Sequence, residues 1–219
     1  MHIDKSTLFF LRELQENNSR EWFQDNKERY ELAIGNFKNI VEEFIDKVSD
    51  FDPHINRDIQ ASKCLFRIYR DIRFSKDKTP YKTWFSAGIS IDGRKLDGPE
   101  YYIHLEPNKS FLAAGYWRPG KDHLEAIRQE IDYSSHELHL ALEKGGWSPA
   151  DLSTEDKLKR PPVGYNLDHS DIELLKLKSF IIYGKLSDEE VTGVDLISKL
   201  TDIATRMNPF KQFIHQALV

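Results

Sequence analysis

The sequence predicts an α+β fold, with a mainly antiparallel sheet of about five strands packed with N-terminal and C-terminal helices. Three observations lead there. Apolar residues recur at helical spacing before residue 50 and again after residue 120. Over 64–118 the spacing changes to alternation, the period of a strand with one buried face. The strand-like segments also follow one another across short turn-forming links. That order excludes a regular βαβ array and favours antiparallel pairing.

Residues 5–50 read as helical. Leu8, Leu11 and Leu14 recur every third residue until Asn17-Asn18-Ser19 interrupts them. Asn18 is placed to cap the next helix, with Glu21 three residues on as the reciprocal partner. Tyr30, Ile34, Phe37, Val41, Phe44 and Val48 then fall at alternating steps of four and three, one apolar stripe on a long helix. Gly35 inside it costs about 1 kcal/mol relative to alanine. Phe51-Asp52-Pro53 ends this region.

Strands are expected at FRIYRDIRF (66–74), WFSAGISI (84–91), EYYIHLE (100–106) and SFLAAGYW (110–117). Asp92-Gly93, Asp97-Gly98-Pro99 and Pro107-Asn108-Lys109 supply turn chemistry, and the last, shortest link predicts a hairpin. Helices follow over 122–144, with Asp122 and Glu125 as a capping box and a stop at Gly145-Gly146. Irregular chain covers 145–170, a short helix starts near Asp171, and one more strand runs over about 178–186. Helices fill 188–218, opened by Ser187 with Glu190 and broken in two at Asn208-Pro209. No repeat or linker interrupts the order, so 1–219 reads as a single domain.

At 219 residues, 39% hydrophobic and 31% charged, the chain can bury a core without disulfides or metals. The single cysteine, Cys64, cannot form an internal bridge, which suits a reducing compartment. The N-terminal apolar run soon meets Arg12 and Glu13 and makes a poor signal peptide. No run approaches the roughly 20 apolar residues of a membrane span. These features predict a cytoplasmic protein with no membrane partner. A net charge of −5 argues against a general nucleic-acid coat and leaves a local basic patch open.

That patch is FRIYRDIRFSKDKTPYKT, Phe66 to Thr83, with six cations and two carboxylates. Read as a strand, which its β-branched and aromatic content favours over a helix with Arg67, Arg70 and Arg73 in line, it puts Phe66, Ile68, Arg70, Ile72 and Phe74 on one face and Arg67, Tyr69, Asp71 and Arg73 on the other. Arg70 is then a guanidinium on an apolar face and needs a carboxylate or a bound anion. Arg67, Arg70, Asp71, Arg73, Lys76, Lys78 and Lys82 are the candidate ligand contacts, since guanidinium forks and compact ammonium groups suit phosphate. Tyr69, Tyr81 and Trp84 offer stacking faces. Neither GxxxxGK[ST] nor GxGxxG occurs.

EYYIHLE puts Glu100, Tyr102, His104 and Glu106 on one face. His104 and Glu106 are the candidate acid–base pair, with Tyr102 and Arg118 lining the same cleft. His136 and His139 lie three apart without an HExxH pattern or a cysteine partner, so no metal site is expected. Lys157, Lys159 and Arg160 form a second small basic run. No motif points to a particular cofactor.

NNSREWF (17–23), NKERY (26–30), FRIYRDIRFSKDKTPYK (66–82), YYIHLEP (101–107), GYWRP (115–119) and LKRPPVGY (158–165) together resemble the family of bacterial and fungal proteins catalogued as domain of unknown function 2461. The resemblance spans nearly the whole chain and implies one domain. It implies no reaction, but its most recognisable segment is the basic stretch. Ala113-Ala114 depart from a pattern that is richer in glycine before Gly115.

Three functions remain in view. The leading one is an anion site for a phosphate-bearing small molecule or nucleotide. The second is a non-catalytic interaction module whose basic stretch pairs with an acidic partner or with internal carboxylates. The third, single-stranded nucleic-acid binding, needs a longer basic track than 67–82 supplies.

Overall fold

Four of the five alternating segments form strands, and the most basic one does not. The computed structural model describes residues 1–219. In chain order the elements are α1 (Lys5–Glu16), α2 (Arg20–Asp25), α3 (Lys27–Val48), α4 (Ala61–Cys64), β1 (Phe85–Ile89), β2 (Glu100–Leu105), β3 (Ser110–Tyr116), α5 (Lys121–Gly145), α6 (Ile172–Leu175), β4 (Phe180–Leu186), α7 (Asp188–Thr192) and α8 (Leu196–Gln216). The strands make one antiparallel sheet in the order β1-β2-β3-β4. The class is α+β as the sequence predicts, with four strands in place of about five. No helix is long and apolar enough to cross a membrane.

Backbone contacts group the chain into two units. The first comprises Met1–Lys95, Tyr102–Leu112 and Lys185–Thr201, and the second comprises Leu96–Tyr101, Ala113–Gly184 and Asp202–Val219. In the first unit, the stripe of α3 is buried at Phe37, Val41, Phe44 and Val48, and Leu8, Leu11 and Leu14 of α1 are buried with it. Phe85 of β1 sits 6.4 Å from the Phe10 ring and 5.8 Å from that of Phe37. Aromatic packing of this kind gives β1 its position. In the second unit, Gly115 takes φ +131° so that β3 can pass the Phe180 carbonyl. A Cβ there would lie 1.9 Å from that oxygen.

Several local expectations give way to stronger contacts. Ser19, not Asn18, caps α2, accepting from the Trp22 amide at 3.2 Å. Asn18 is instead engaged by Tyr81, whose carbonyl it donates to at 3.0 Å and whose N–H it accepts at 3.1 Å. Gly120 is the N-cap of α5, and Asp122 and Glu125 form no capping box there. The two expected helices of 122–144 join in α5 across non-helical backbone at Ser134, and Gly146 caps the end at φ +85°. Ser187 and Glu190 form the predicted capping box on α7. The final break falls at Gly193, not Pro209, because α8 runs through Pro209. Met207, Phe210, Phe213 and Ile214 on either side are buried, and that burial outweighs the roughly 3 kcal/mol helical cost of an interior proline.

Candidate functional site

The basic stretch pairs with the start of β1 and the chain just before it, but out of step. The Phe66 amide donates to the Ser86 carbonyl at 2.9 Å, the Lys82 amide to the Ile68 carbonyl at 2.8 Å, and the Arg70 amide to the Pro80 carbonyl at 2.9 Å. Between the first two bonds one side advances two residues and the other four. Thr83 and Trp84 are therefore bulged out, and only isolated bridges at Leu65–Ala87 and Tyr69–Tyr81 remain. This bulge is why 66–74 is a ribbon and not the predicted fifth strand. Alternation survives up to Ile72: Ile68 is buried and Arg70 half-buried, while Arg67 and Tyr69 are exposed. Phe74, expected on the inner face, is 95% exposed.

Three of the candidate arginines hold carboxylates of the chain itself. Arg70 contacts Asp77 and the Thr79 hydroxyl through Nη1. The Thr79 amide and the Arg70 guanidinium together hold the Asp77 carboxyl down to about 2. Arg73 grips Asp71 through Nε at 3.0 Å and Nη2 at 2.6 Å, and that grip also holds Asp71 at about 2. Arg118 belongs to the second unit, where it pairs with Asp156 and lies 5.3 Å over the Trp117 ring. Lys78 donates to the Ile72 carbonyl at 2.9 Å, and Lys76 is exposed.

Arg67 and Lys82 differ from these. Lys82 is half-buried with its ammonium 5.6 Å above the Phe66 ring. Its pKa is lowered first by burial and then by the charges of Arg67 and Arg94. Arg94 is fixed by the carbonyl of Leu65 and, at 3.5 Å, that of Lys63, at the C-terminal end of α4. Neither Arg67 nor Lys82 bonds a carboxylate, although Asp71 feels the Arg67 charge at longer range. Lys82 thus has two cations as neighbours and no carboxylate bonded to it.

The outward face of β2 carries the imidazole–carboxylate pair. His104 is stacked between Phe111, 4.7 Å away at 7°, and Trp84, 5.6 Å away at 29°. Its Nε2 lies 3.0 Å from Glu106, whose other oxygen meets Lys109 at 3.3 Å. Burial lowers the His104 pKa and outweighs the opposing pull of Glu106. The neutral ring then donates Nε2–H to Glu106 and leaves Nδ1 as an acceptor, 3.5 Å from the Tyr102 hydroxyl. Both faces are covered and the side chain is 12% exposed, so only the ring edge is open to proton exchange. No group of three or more His, Cys, Asp or Glu side chains converges as a metal site. His139 pairs with Asp171 at 3.1 Å.

Sequence reasoning missed Arg94 and Phe111. Arg94 sits in a turn-like DGRK run, and nothing local links it to Lys82. Phe111 was within reach: counting back across the Glu106–Lys109 turn, where Asn108 takes φ 64°, sets it opposite His104.

The family model described as conserved hypothetical protein (DUF2461) matches residues 6–213, so the chain belongs to that family. No curated protein and no solved structure matches it.

Proposed function

We propose that this DUF2461 member binds a phosphate-bearing ligand at the cluster of Arg67, Lys82 and Arg94. The observation that carries the reading is the half-buried Lys82 ammonium, whose charged neighbours Arg67 and Arg94 are both positive. Gathering like charges around a half-buried ammonium raises the energy of the free protein, and an anion lowers it again. Arg70, Arg73 and Arg118 have internal carboxylates and act as braces on this reading, so the contact set narrows to Arg67 and Lys82 and gains Arg94. The buried cysteine suits work in the cytoplasm.

Thermal unfolding with and without pyrophosphate at low salt tests the reading. A ligand at about a hundred times its Kd adds about 2.7 kcal/mol. For a chain of this size that raises Tm by roughly 5–10 °C. The shift should shrink in Arg67→Ala and in Lys82→Met, which keeps the apolar stem over Phe66, and should persist in Arg73→Ala. A wild-type protein indifferent to pyrophosphate, or variants that respond as fully as wild type, would overturn it.

A further inference from the structure

Beyond the cation cluster, the ribbon continues outward as a braced loop with aromatic side chains in solvent. Tyr69 is 55% exposed and lies on the same outward side as Arg67, two residues or about 7 Å along extended chain. Its ring packs at a tilt against Tyr81, 5.4 Å away, and Phe23, 6.3 Å away. Phe74 at the loop's far end meets the Arg73 guanidinium at 5.8 Å. The Arg73–Asp71 pair, the Arg70–Asp77–Thr79 contacts and the Lys78 bond to the Ile72 carbonyl fix this loop from within. An ordered loop that keeps an aromatic ring in water is set up for a partner before the partner arrives.

We propose that the ligand of this ribbon is single-stranded nucleic acid, with phosphates on Arg67, Lys82 and Arg94 and bases on the open faces of Tyr69 and Phe74. This inference rests on the phosphate-binding reading above. Cations alternating with stacking faces are how unpaired strands are held without sequence preference. A duplex hides its base faces, and a free phosphate uses neither ring. An acidic protein would draw on Arg70 and Arg73, whose charge Asp77 and Asp71 already take up. Arg67 to Phe74 spans at most about 25 Å of chain, enough for a few nucleotides.

Fluorescence anisotropy of a labelled oligo(dT) about a dozen nucleotides long tests this at roughly 50 mM salt. Binding is expected. Phe74→Ala should weaken it by about 5- to 150-fold, the range for one lost base stack, and Phe74→Trp should restore it. Phe74 is exposed, so its variants keep the fold. Tyr69→Ala should weaken binding too, read alongside its Tm because Tyr69 packs on Tyr81. The pyrophosphate shift should be unchanged in Phe74→Ala, whereas Lys82→Met should weaken both ligands.

A pyrophosphate shift without oligo(dT) binding removes this inference and leaves the small-anion reading standing. Failure of both probes removes both readings. Oligo(dT) binding that ignores Phe74→Ala and Tyr69→Ala overturns the stacking model. Equal competition by polyglutamate makes the partner an acidic protein. Phe74-dependent sedimentation with phosphatidylglycerol vesicles, with no oligo(dT) binding, makes it a membrane surface.

Discussion

At the scale of single residues, the second unit contains a buried charge cluster with a measurable signature. Lys211 of α8 is fully buried, with Nζ 3.1 Å from His215 Nε2 and 5.0 Å from the Tyr101 ring. Near it, Glu100 is pushed up to about 7 by burial, which the Lys211 charge only partly offsets. A carboxyl whose folded pKa lies above its ordinary 4.5 binds more protons folded than unfolded between those values. Its contribution is therefore fully present below about pH 4.5 and is lost as pH rises through about 7. The change is on the order of 3 kcal/mol. His104 pulls the other way, since its lowered pKa makes acidification below its ordinary value destabilising. A comparison with Glu100→Gln isolates the carboxyl. Urea unfolding at pH 5 and pH 8 should show wild type losing stability relative to the variant as pH rises. Parallel pH profiles for the two proteins would sink this account.

At the scale of elements, two glycines that look alike in sequence separate cleanly. Gly35, inside α3, has open space where a Cβ would go, so Gly35→Ala should stabilise the protein by about 1 kcal/mol in urea unfolding. Gly115, with positive φ and the Phe180 carbonyl in the way, should not tolerate alanine, and Gly115→Ala should yield little folded protein. A neutral or destabilising Gly35→Ala, or a well-folded Gly115→Ala, contradicts the packing described. The same contrast shows what sequence can and cannot tell. β1 to β4 and the α3 stripe were legible because alternation and the 3.6-residue period report one-sided burial directly. The ribbon at 66–74 was not, because the residues that break its pairing, Thr83 and Trp84, lie on the segment it pairs with. Pro209 misled for a related reason: a local breaker was outvoted by buried Phe210 and Phe213, whose partners are remote in sequence. At the site, Arg70's need for a carboxylate or a bound anion was readable from its inner-face position. That Asp77 would be that carboxylate depended on how the loop returns. Arg94 reached the cluster through tertiary packing alone.

At the scale of the whole molecule, a chain of −5 carries a stretch of +4, so everything outside Phe66–Thr83 sums to −9. These opposing fields differ in range, and salt separates them. In water a unit charge about 5 Å away contributes about 0.8 kcal/mol, while one about 20 Å away contributes about 0.2 kcal/mol. At 0.01 M salt the Debye length is about 30 Å, so a small anion at Arg67 and Lys82 is attracted by the cluster and repelled by many distant carboxylates at once. At 0.15 M it is about 8 Å. The distant repulsion is then nearly extinguished, while about half of the near attraction survives. The two losses offset, so pyrophosphate affinity should change little between 0.01 and 0.15 M salt and fall only above that, as the Debye length approaches the contact distance near 1 M. Calorimetric titration of pyrophosphate across that series reads it. A steep, monotonic loss of affinity from the lowest salt would mean that the surrounding carboxylates lie too far off to matter. Affinity that keeps rising to 1 M would mean that the cations of 67–94 do not hold the anion.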